Sequence, residues 1–325
     1  MGLQGVIVID DTTLGPGLGG VRYKAYASMV HGVAECRRLA AAMTLKNAVA
    51  ELPFGGAKAV ILADRRAPDR AALMRRFGDF VAGAGGDYLP GVDMGTGVDD
   101  LALMSEAGAT VSCSAEDPSR WTAVGVAAAI RAAVEHRGLD LDGCRVLIQG
   151  AGHVGQVLAR LLAADGAVVL IADVDSARAE ALAGELDGRV VDPRTVVGTR
   201  CDVFAPCAVA RVIDPESIGR LHCSIVAGAA NDTLSHRADA ELLAARDITY
   251  VPDFVANAGG VVDIHGLRMG WGEERMLHEV LKIGDRTAGL LATAHQRGQA
   301  PLVHAEEMAA ERLATVRATE DARVA

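Results

Sequence analysis

Short apolar runs recur between about residues 122 and 256, at 146–148, 168–172, 203–205, 225–227 and 248–251, with helical patterns between them. Strand and helix alternating in this way predict a doubly wound parallel sheet, which binds ligands at the carboxyl ends of its strands. The helix after the first run is the clearest. Val154, Val157, Leu158, Leu161 and Leu162 stand at helical spacing and give it one apolar face. The first 120 residues or so read differently: a strand-like stretch at 6–9 runs into the glycines Gly15, Gly17, Gly19 and Gly20, and a helix follows with Val30, Val33, Ala40 and Met43 expected inward. The tail from about Pro301, with Glu306, Glu307, Glu311 and Arg312 beside Met308 and Leu313, predicts an amphipathic helix.

These patterns predict an α/β protein of two domains. A smaller N-terminal α/β catalytic domain spans 1–121, a Rossmann-type doubly wound parallel-sheet domain spans 122–301, and a helix at about 302–325 is expected to pack back on the first. A length of 325 residues suits two cores of ordinary size. Half of the residues are hydrophobic but only 3% aromatic, so the core must be aliphatic, as parallel strands covered by helices require. The net charge of −10 argues against nucleic acid or an anionic membrane as partner. No apolar run reaches the roughly 18 residues of a membrane span, and no secretory signal is evident, so the expected location is cytoplasmic. The six cysteines (Cys36, Cys113, Cys144, Cys201, Cys207, Cys223) form no CxxC pair and no metal-ligand pattern, so reduced thiols and no metal are expected.

Residues 145–173 carry the sharpest chemistry. An apolar run leads into GAGHVG at 150–155, then a helical pattern, a second apolar run and Asp173. Gly150 permits a tight turn, Gly152 lets backbone N–H groups approach a pyrophosphate, and Gly155 lets the helix pack closely on its strand. A helix N-terminus favours the phosphates through its unpaired amides and dipole. Asp173, about 20 residues on, is placed to accept hydrogen bonds from ribose hydroxyls and to repel a 2′-phosphate, which favours NAD over NADP. Elsewhere, Lys46 in MTLKNA and Lys58 in PFGGAKAVI stand in unusual settings, Lys58 expected just after a glycine turn and just before a buried strand. Gly55 and Gly56 are read as letting the backbone approach a ligand. Asp93 in GVDMGT and Asn257 in NAGG suit turns as well as catalysis.

Together LGPGLGG (14–20), MTLK (43–46), PFGGAK (53–58), GVDMGT (91–96), TAVGV (122–126), GAGHVG, APCA (205–208), GAAND (228–232) and NAGG (257–260) resemble the leucine, phenylalanine and valine dehydrogenase branch of the amino-acid dehydrogenases over nearly the whole chain. The resemblance implies NAD-dependent oxidative deamination of an L-amino acid to the 2-oxo acid and ammonia, and the reverse reductive amination. Carried over by position, Lys58 and Asp93 are the catalytic pair. Lys46 binds the substrate carboxylate, and Gly19, Gly20 and Asn257 line the substrate site. Gly150, Gly152, His153, Val154, Gly155, Asp173, Thr122, Cys207, Ala208, Ala229, Asn231 and Asn257 contact the cofactor. Small residues at Ala288, Gly289 and Ala292 favour an aromatic or large aliphatic side chain.

The chain departs from the family pattern at Ala57, where a glycine is usual, at Asp232, where asparagine is usual, and at residues 114–121, which replace a glycine-rich stretch. Relatives also carry a further segment that helps subunits associate, so the oligomeric state is not carried over; a homo-oligomer, with a dimer as the simplest form, is expected. The competing readings are an NAD oxidoreductase acting on another small carbonyl compound and a catalytically silent relative that binds nucleotide.

Overall fold

The computed structural model describes residues 3–62, 69–112 and 117–324, and the chain divides into two compact units. Unit 1 holds Met1–Asp117, Ile264–Gly270 and Met308–Ala325; unit 2 holds Pro118–Asp263 and Trp271–Glu307. The first boundary thus falls at 117/118 where 121/122 was expected, and a short segment after residue 263 belongs with unit 1. Cys113 and Ser114, Ala115 and Glu116 of the departing stretch lie outside the described residues.

Unit 1 is built on β1 (Gly5–Asp11), β2 (Gly17–Lys24), α1 (Met29–Val49), β3 (Gly55–Leu62), α2 (Arg70–Ala82), β4 (Tyr88–Gly91) and α3 (Val98–Glu106). The sheet order is β1-β3-β2-β4, with β1 antiparallel to β3 and the other pairs parallel. The glycine pair read as a turn, Gly55 and Gly56, opens the strand β3, and Gly17, Gly19 and Gly20 lie in β2. Gly19 lies in β2, where a Cβ would come 1.6 Å from the Ala57 carbonyl oxygen, and a Cβ on Gly56 would come 2.1 Å from Thr44 Oγ1 of α1. Gly55 and Gly56 therefore serve close packing of backbone on backbone and helix on sheet, and Lys58 lies inside a strand, not ahead of one. The inward face of α1 also differs from expectation. Gly32, Cys36, Leu39, Ala40 and Thr44 are buried, whereas Val30 is 75% exposed.

From residue 118 the chain continues with α4 (Ser119–His136), β5 (Arg145–Gln149), α5 (His153–Ala164), β6 (Val168–Ala172), α6 (Ser176–Glu185), β7 (Arg189–Val190), β8 (Val203–Pro206), α7 (Pro215–Arg220), β9 (Ile225–Val226), α8 (Asp239–Ala245), β10 (Thr249–Tyr250), α9 (Asp253–Ala256), α10 (Gly259–Arg268, of which the part from Ile264 belongs to unit 1), α11 (Glu273–Arg297) and α12 (Pro301–Val324). The sheet order is β10-β9-β8-β5-β6-β7, every pair parallel. This is the doubly wound arrangement in which strand order reverses beside the first strand, here between β5 and β8, so that the loops after these two strands flank a crevice. Each of the five apolar runs became a strand. β7, two exposed residues at the edge, had no apolar run to announce it. Residues 301–307 of α12 belong to unit 2 and the rest to unit 1, where Arg317 donates to the Asp11 carboxylate and to Thr13 Oγ1.

Candidate active site

In unit 1 the strands β2 and β3 run parallel in register, with Val21 opposite Ala59 and Arg22 opposite Val60. Side chains alternate across a sheet, so Gly20, Arg22 and Lys24 share a face with Lys58. Asp93 follows β4 in a tight turn. Its N–H donates to Thr96 Oγ1 (3.1 Å), its carbonyl accepts from Thr96 N (2.9 Å), and Thr96 Oγ1 donates on to the Val21 carbonyl (2.6 Å). A side chain on Gly20 would meet the Val92 carbonyl oxygen at 2.6 Å and Asp93 Cβ at 2.7 Å, so the glycine makes room for this turn. Asp93 is thus both a turn former and an inward-facing carboxylate.

The carboxylate is met by two cations. Lys58 Nζ and Arg22 Nε both approach Asp93 Oδ2 at 2.9 Å, and Arg22 Nη2 donates to Oδ1 at 3.2 Å. Arg22 Nη1 donates to Glu35 Oε1 of α1 at 2.6 Å, and Lys24 Nζ lies 3.6 Å from the other Glu35 oxygen. Burial alone would raise the Asp93 carboxyl, but Lys58 and Arg22 outweigh it and hold the group well below the usual carboxylate range. Glu35 is lowered too: burial opposes this, and Tyr26, Arg22 and Lys24 overcome it. Lys46 is buried in the last turn of α1, where a cation suits the helix dipole. Its neighbour Asn47 ties α1 to β3, donating from Nδ2 to the Gly55 carbonyl at 2.7 Å. Gly19 and Gly20 are buried and are explained by packing. Arg22 and Glu35 were missed by sequence reasoning; the alternation Gly20, Arg22, Lys24 was the signal, because it puts an arginine on the face that also carries Lys58.

In unit 2 the glycine loop joins β5 to α5. Gly150 takes φ +106°, and a Cβ there would meet Ala208 Cβ at 2.6 Å. A Cβ on Gly155 would come 1.9 Å from the Gly150 carbonyl oxygen. Gly152, by contrast, faces open space at the N-cap of α5. His153 and Val154 open that helix. Asp173, just past β6, accepts from Ala151 N (2.7 Å) and Asp175 N (2.8 Å), with an Arg178 nitrogen 3.6 Å away. Cys207 and Ala208 follow β8, and Cys207 N donates to the Gln149 carbonyl at 2.8 Å, which holds the two loops of the crevice together. Burial pushes the Cys207 thiol up to about 12. Asn257 Nδ2 donates to Asn231 Oδ1 (3.0 Å) and to the Ala229 carbonyl (3.1 Å), joining those residues in one cluster. Thr122 Oγ1 donates to the Pro118 carbonyl, and the same hydroxyl would crowd a Cβ on Gly260. Ala288, Gly289 and Ala292 lie on the exposed face of α11.

Asp232 is explained by a charge partner. It adopts a left-handed φ of 56°, and Arg211, also at 56°, donates from Nε to its carboxylate at 3.1 Å. The added negative charge is therefore paired locally, and aspartate tolerates that backbone conformation as asparagine does. At Ala57 the methyl is fully buried within β3.

Two features test whether a dinucleotide suits unit 2. The space over Gly152 at a helix N-terminus is what a pyrophosphate requires. Asn257 Oδ1 is a buried acceptor with no hydrogen-bond partner, ready for a ligand N–H. The residues fit. Among the described residues no cluster of His, Cys, Asp or Glu could hold a metal ion, and no helix is long and apolar enough to cross a membrane.

A doubly wound sheet with a glycine-rich loop at a helix N-terminus, joined in one chain to a unit holding a buried lysine–aspartate pair, fits the class of dinucleotide-dependent enzymes. Comparison with known proteins narrows this. A family model described as Glu/Leu/Phe/Val dehydrogenase, dimerisation domain, matches residues 1–109, and the Glutamate/Leucine/Phenylalanine/Valine dehydrogenase model matches 115–181 and 177–320. Leucine dehydrogenase of Bacillus cereus is 36% identical over 97% of this chain and 88% of its own, and valine dehydrogenase of Streptomyces virginiae 37% over 97% and 91%. The crystal structure of L-tryptophan dehydrogenase from Nostoc punctiforme superposes with a TM-score of 0.83 at 33% identity, covering 97% of this chain and 93% of that one. The chain belongs to the Glu/Leu/Phe/Val dehydrogenase family, and is an amino-acid dehydrogenase, an oxidoreductase acting on CH–NH2 groups.

Proposed function

We propose that this enzyme deaminates a hydrophobic or aromatic L-amino acid to its 2-oxo acid and ammonia with NAD, and catalyses the reverse amination. The observation that carries the reading is the buried Lys58–Asp93 pair at 2.9 Å, in a chain that also carries a dinucleotide loop. When bound, the nicotinamide supplies the hydride acceptor. The chain's own residues supply the rest. Lys46 binds the substrate carboxylate as a buried cation. A neutral amine is needed before the α-carbon can lose hydride, so a basic group must take an ammonium proton, and a proton must also leave the water that adds to the iminium carbon. Lys58 and Asp93 share those transfers.

Gly150, Gly152 and Gly155 with the α5 N-terminus, whose first residues are His153 and Val154, receive the pyrophosphate. Thr122, Cys207, Ala208, Ala229, Asn231 and Asn257 contact the cofactor. NAD rather than NADP is favoured by Asp173, whose carboxylate at the end of β6 would repel a 2′-phosphate. The substrate class rests on relatives that act on leucine, valine and tryptophan. A homo-oligomer is favoured by the dimerisation-domain match over 1–109, and a cytoplasmic location by the free thiols of the described cysteines.

Lys58→Ala and Lys58→Arg test the assignment. Both are expected to lower kcat by about a thousandfold or more while the cofactor dissociation constant, read by fluorescence quenching, stays within about twofold. Normal turnover in either would remove Lys58 from the mechanism.

A further inference from the structure

Resting on the reading of Lys58 and Asp93 above, we propose that Arg22, anchored by Glu35, is the positioning residue that keeps Asp93 a fixed carboxylate when Lys58 leaves it for the substrate. A buried carboxylate stripped of its only cation is strongly disfavoured. A Lys58–Asp93 pair standing alone could therefore not open without a large penalty. Here Arg22 spans both Asp93 oxygens through Nε and Nη2, a planar fork that lysine could not provide. Its remaining Nη1 is held by Glu35 at 2.6 Å, and Glu35 in turn has Lys24 at 3.6 Å. Lys24, Glu35, Arg22 and Asp93 alternate in sign and sum to zero, so Lys58 is the one charge that this array does not need.

The other titratable groups packed here do not take over the task. Cys36, whose thiol donates to the Lys58 carbonyl, is pushed up to about 11 by burial and stays neutral. Tyr88 is buried, raised well above its ordinary range, and donates to the Gly19 carbonyl. Tyr26 beside Glu35 is raised as well, first by burial and then by that carboxylate. Arg22 is thus the counter-ion that remains on Asp93.

The test compares Arg22→Met, Arg22→Lys and Lys58→Met in the full chain. Arg22→Met is expected to move the acid limb of kcat/KM upward by about one pH unit or more, with Arg22→Lys between it and wild type. At about pH 6 the infrared band of a protonated carboxyl should appear in Arg22→Met/Lys58→Met, where no cation is left on Asp93, vanish when Asp93→Asn is added, and be missing from Lys58→Met, where Arg22 still holds the charge. A folded Arg22→Met with the wild-type limb, or a protonated-carboxyl band already present in Lys58→Met, would overturn the proposal. Should Arg22→Met fail to fold, Glu35→Gln, which loosens the guanidinium without removing it, must move the limb in the same direction, and an unmoved limb counts against the proposal. If Lys58→Ala and Asp93→Asn both turn over normally, the assignment of the pair itself is at fault; if both are inactive while Arg22→Met keeps the wild-type limb, the fault lies with Arg22 alone.

Discussion

Asp93 accepts from Lys58 and Arg22 on the same oxygen, and that arrangement makes its charge a property of the fold. Its carboxyl is depressed in the folded protein, so the stabilisation it contributes is complete above the ordinary unfolded value of about 4 and is lost as pH falls below it toward the lower folded value. Asp93→Asn should therefore be less stable than wild type by about 3 kcal/mol at neutral pH, because the buried Lys58 ammonium loses its carboxylate and Arg22 keeps only Glu35. The gap in urea midpoint should narrow as pH drops below about 4. A gap independent of pH would show that the carboxylate charge is not what stabilises this turn. The pair itself was legible because PFGGAK and GVDMGT place a lysine and an aspartate among glycines. Its counter-ion was not, since an arginine two residues from Gly20 reads as an ordinary surface charge until β2 is known to be a central strand. Asp232 shows the same limit: its partner Arg211 lies 21 positions away in sequence.

At the level of elements, the glycines of the β5–α5 loop do different work, and substitution separates them. Gly155→Ala would press a methyl onto the Gly150 carbonyl and push α5 off its strand. A cost of about 2–3 kcal/mol would lower the melting temperature by roughly 5–10 °C. Gly152→Ala meets open space at an ordinary backbone conformation, so the fold should hold within about 1 kcal/mol. The methyl would instead occupy the pyrophosphate's position and weaken dinucleotide binding about tenfold or more. Thermal melts with and without NAD, alongside a binding titration, read both effects; an unimpaired Gly152→Ala titration would argue against the loop as the phosphate site. The parallel strands of unit 2 were legible as apolar runs because both faces are buried. Glycine-rich β2 and the start of β3 were not, because Gly17, Gly19, Gly55 and Gly56 are there for close packing, which leaves no hydrophobic pattern. The face of α1 was misjudged at Val30 because its packing is led by small residues such as Gly32 and Ala40, which carry little hydrophobic signal.

On the scale of the whole chain, unit 1 is assembled from segments far apart in sequence: its N-terminal body, residues 264–270 and the end of α12. An amphipathic pattern shows that a helix has a surface to bury but not which surface receives it. Unit 2 carries the glycine loop and the buried Asn257 acceptor, and unit 1 carries the buried Lys58–Asp93–Arg22 cluster. The proposed function is reductive amination and its reverse. Its most direct test follows the absorbance of reduced nicotinamide during incubation of the purified enzyme with a panel of hydrophobic and aromatic 2-oxo acids, each with and without ammonia. Consumption that requires ammonia, and that falls about a thousandfold or more in Lys58→Ala, is the predicted result. Consumption without ammonia, or none with any 2-oxo acid despite bound cofactor, would contradict it.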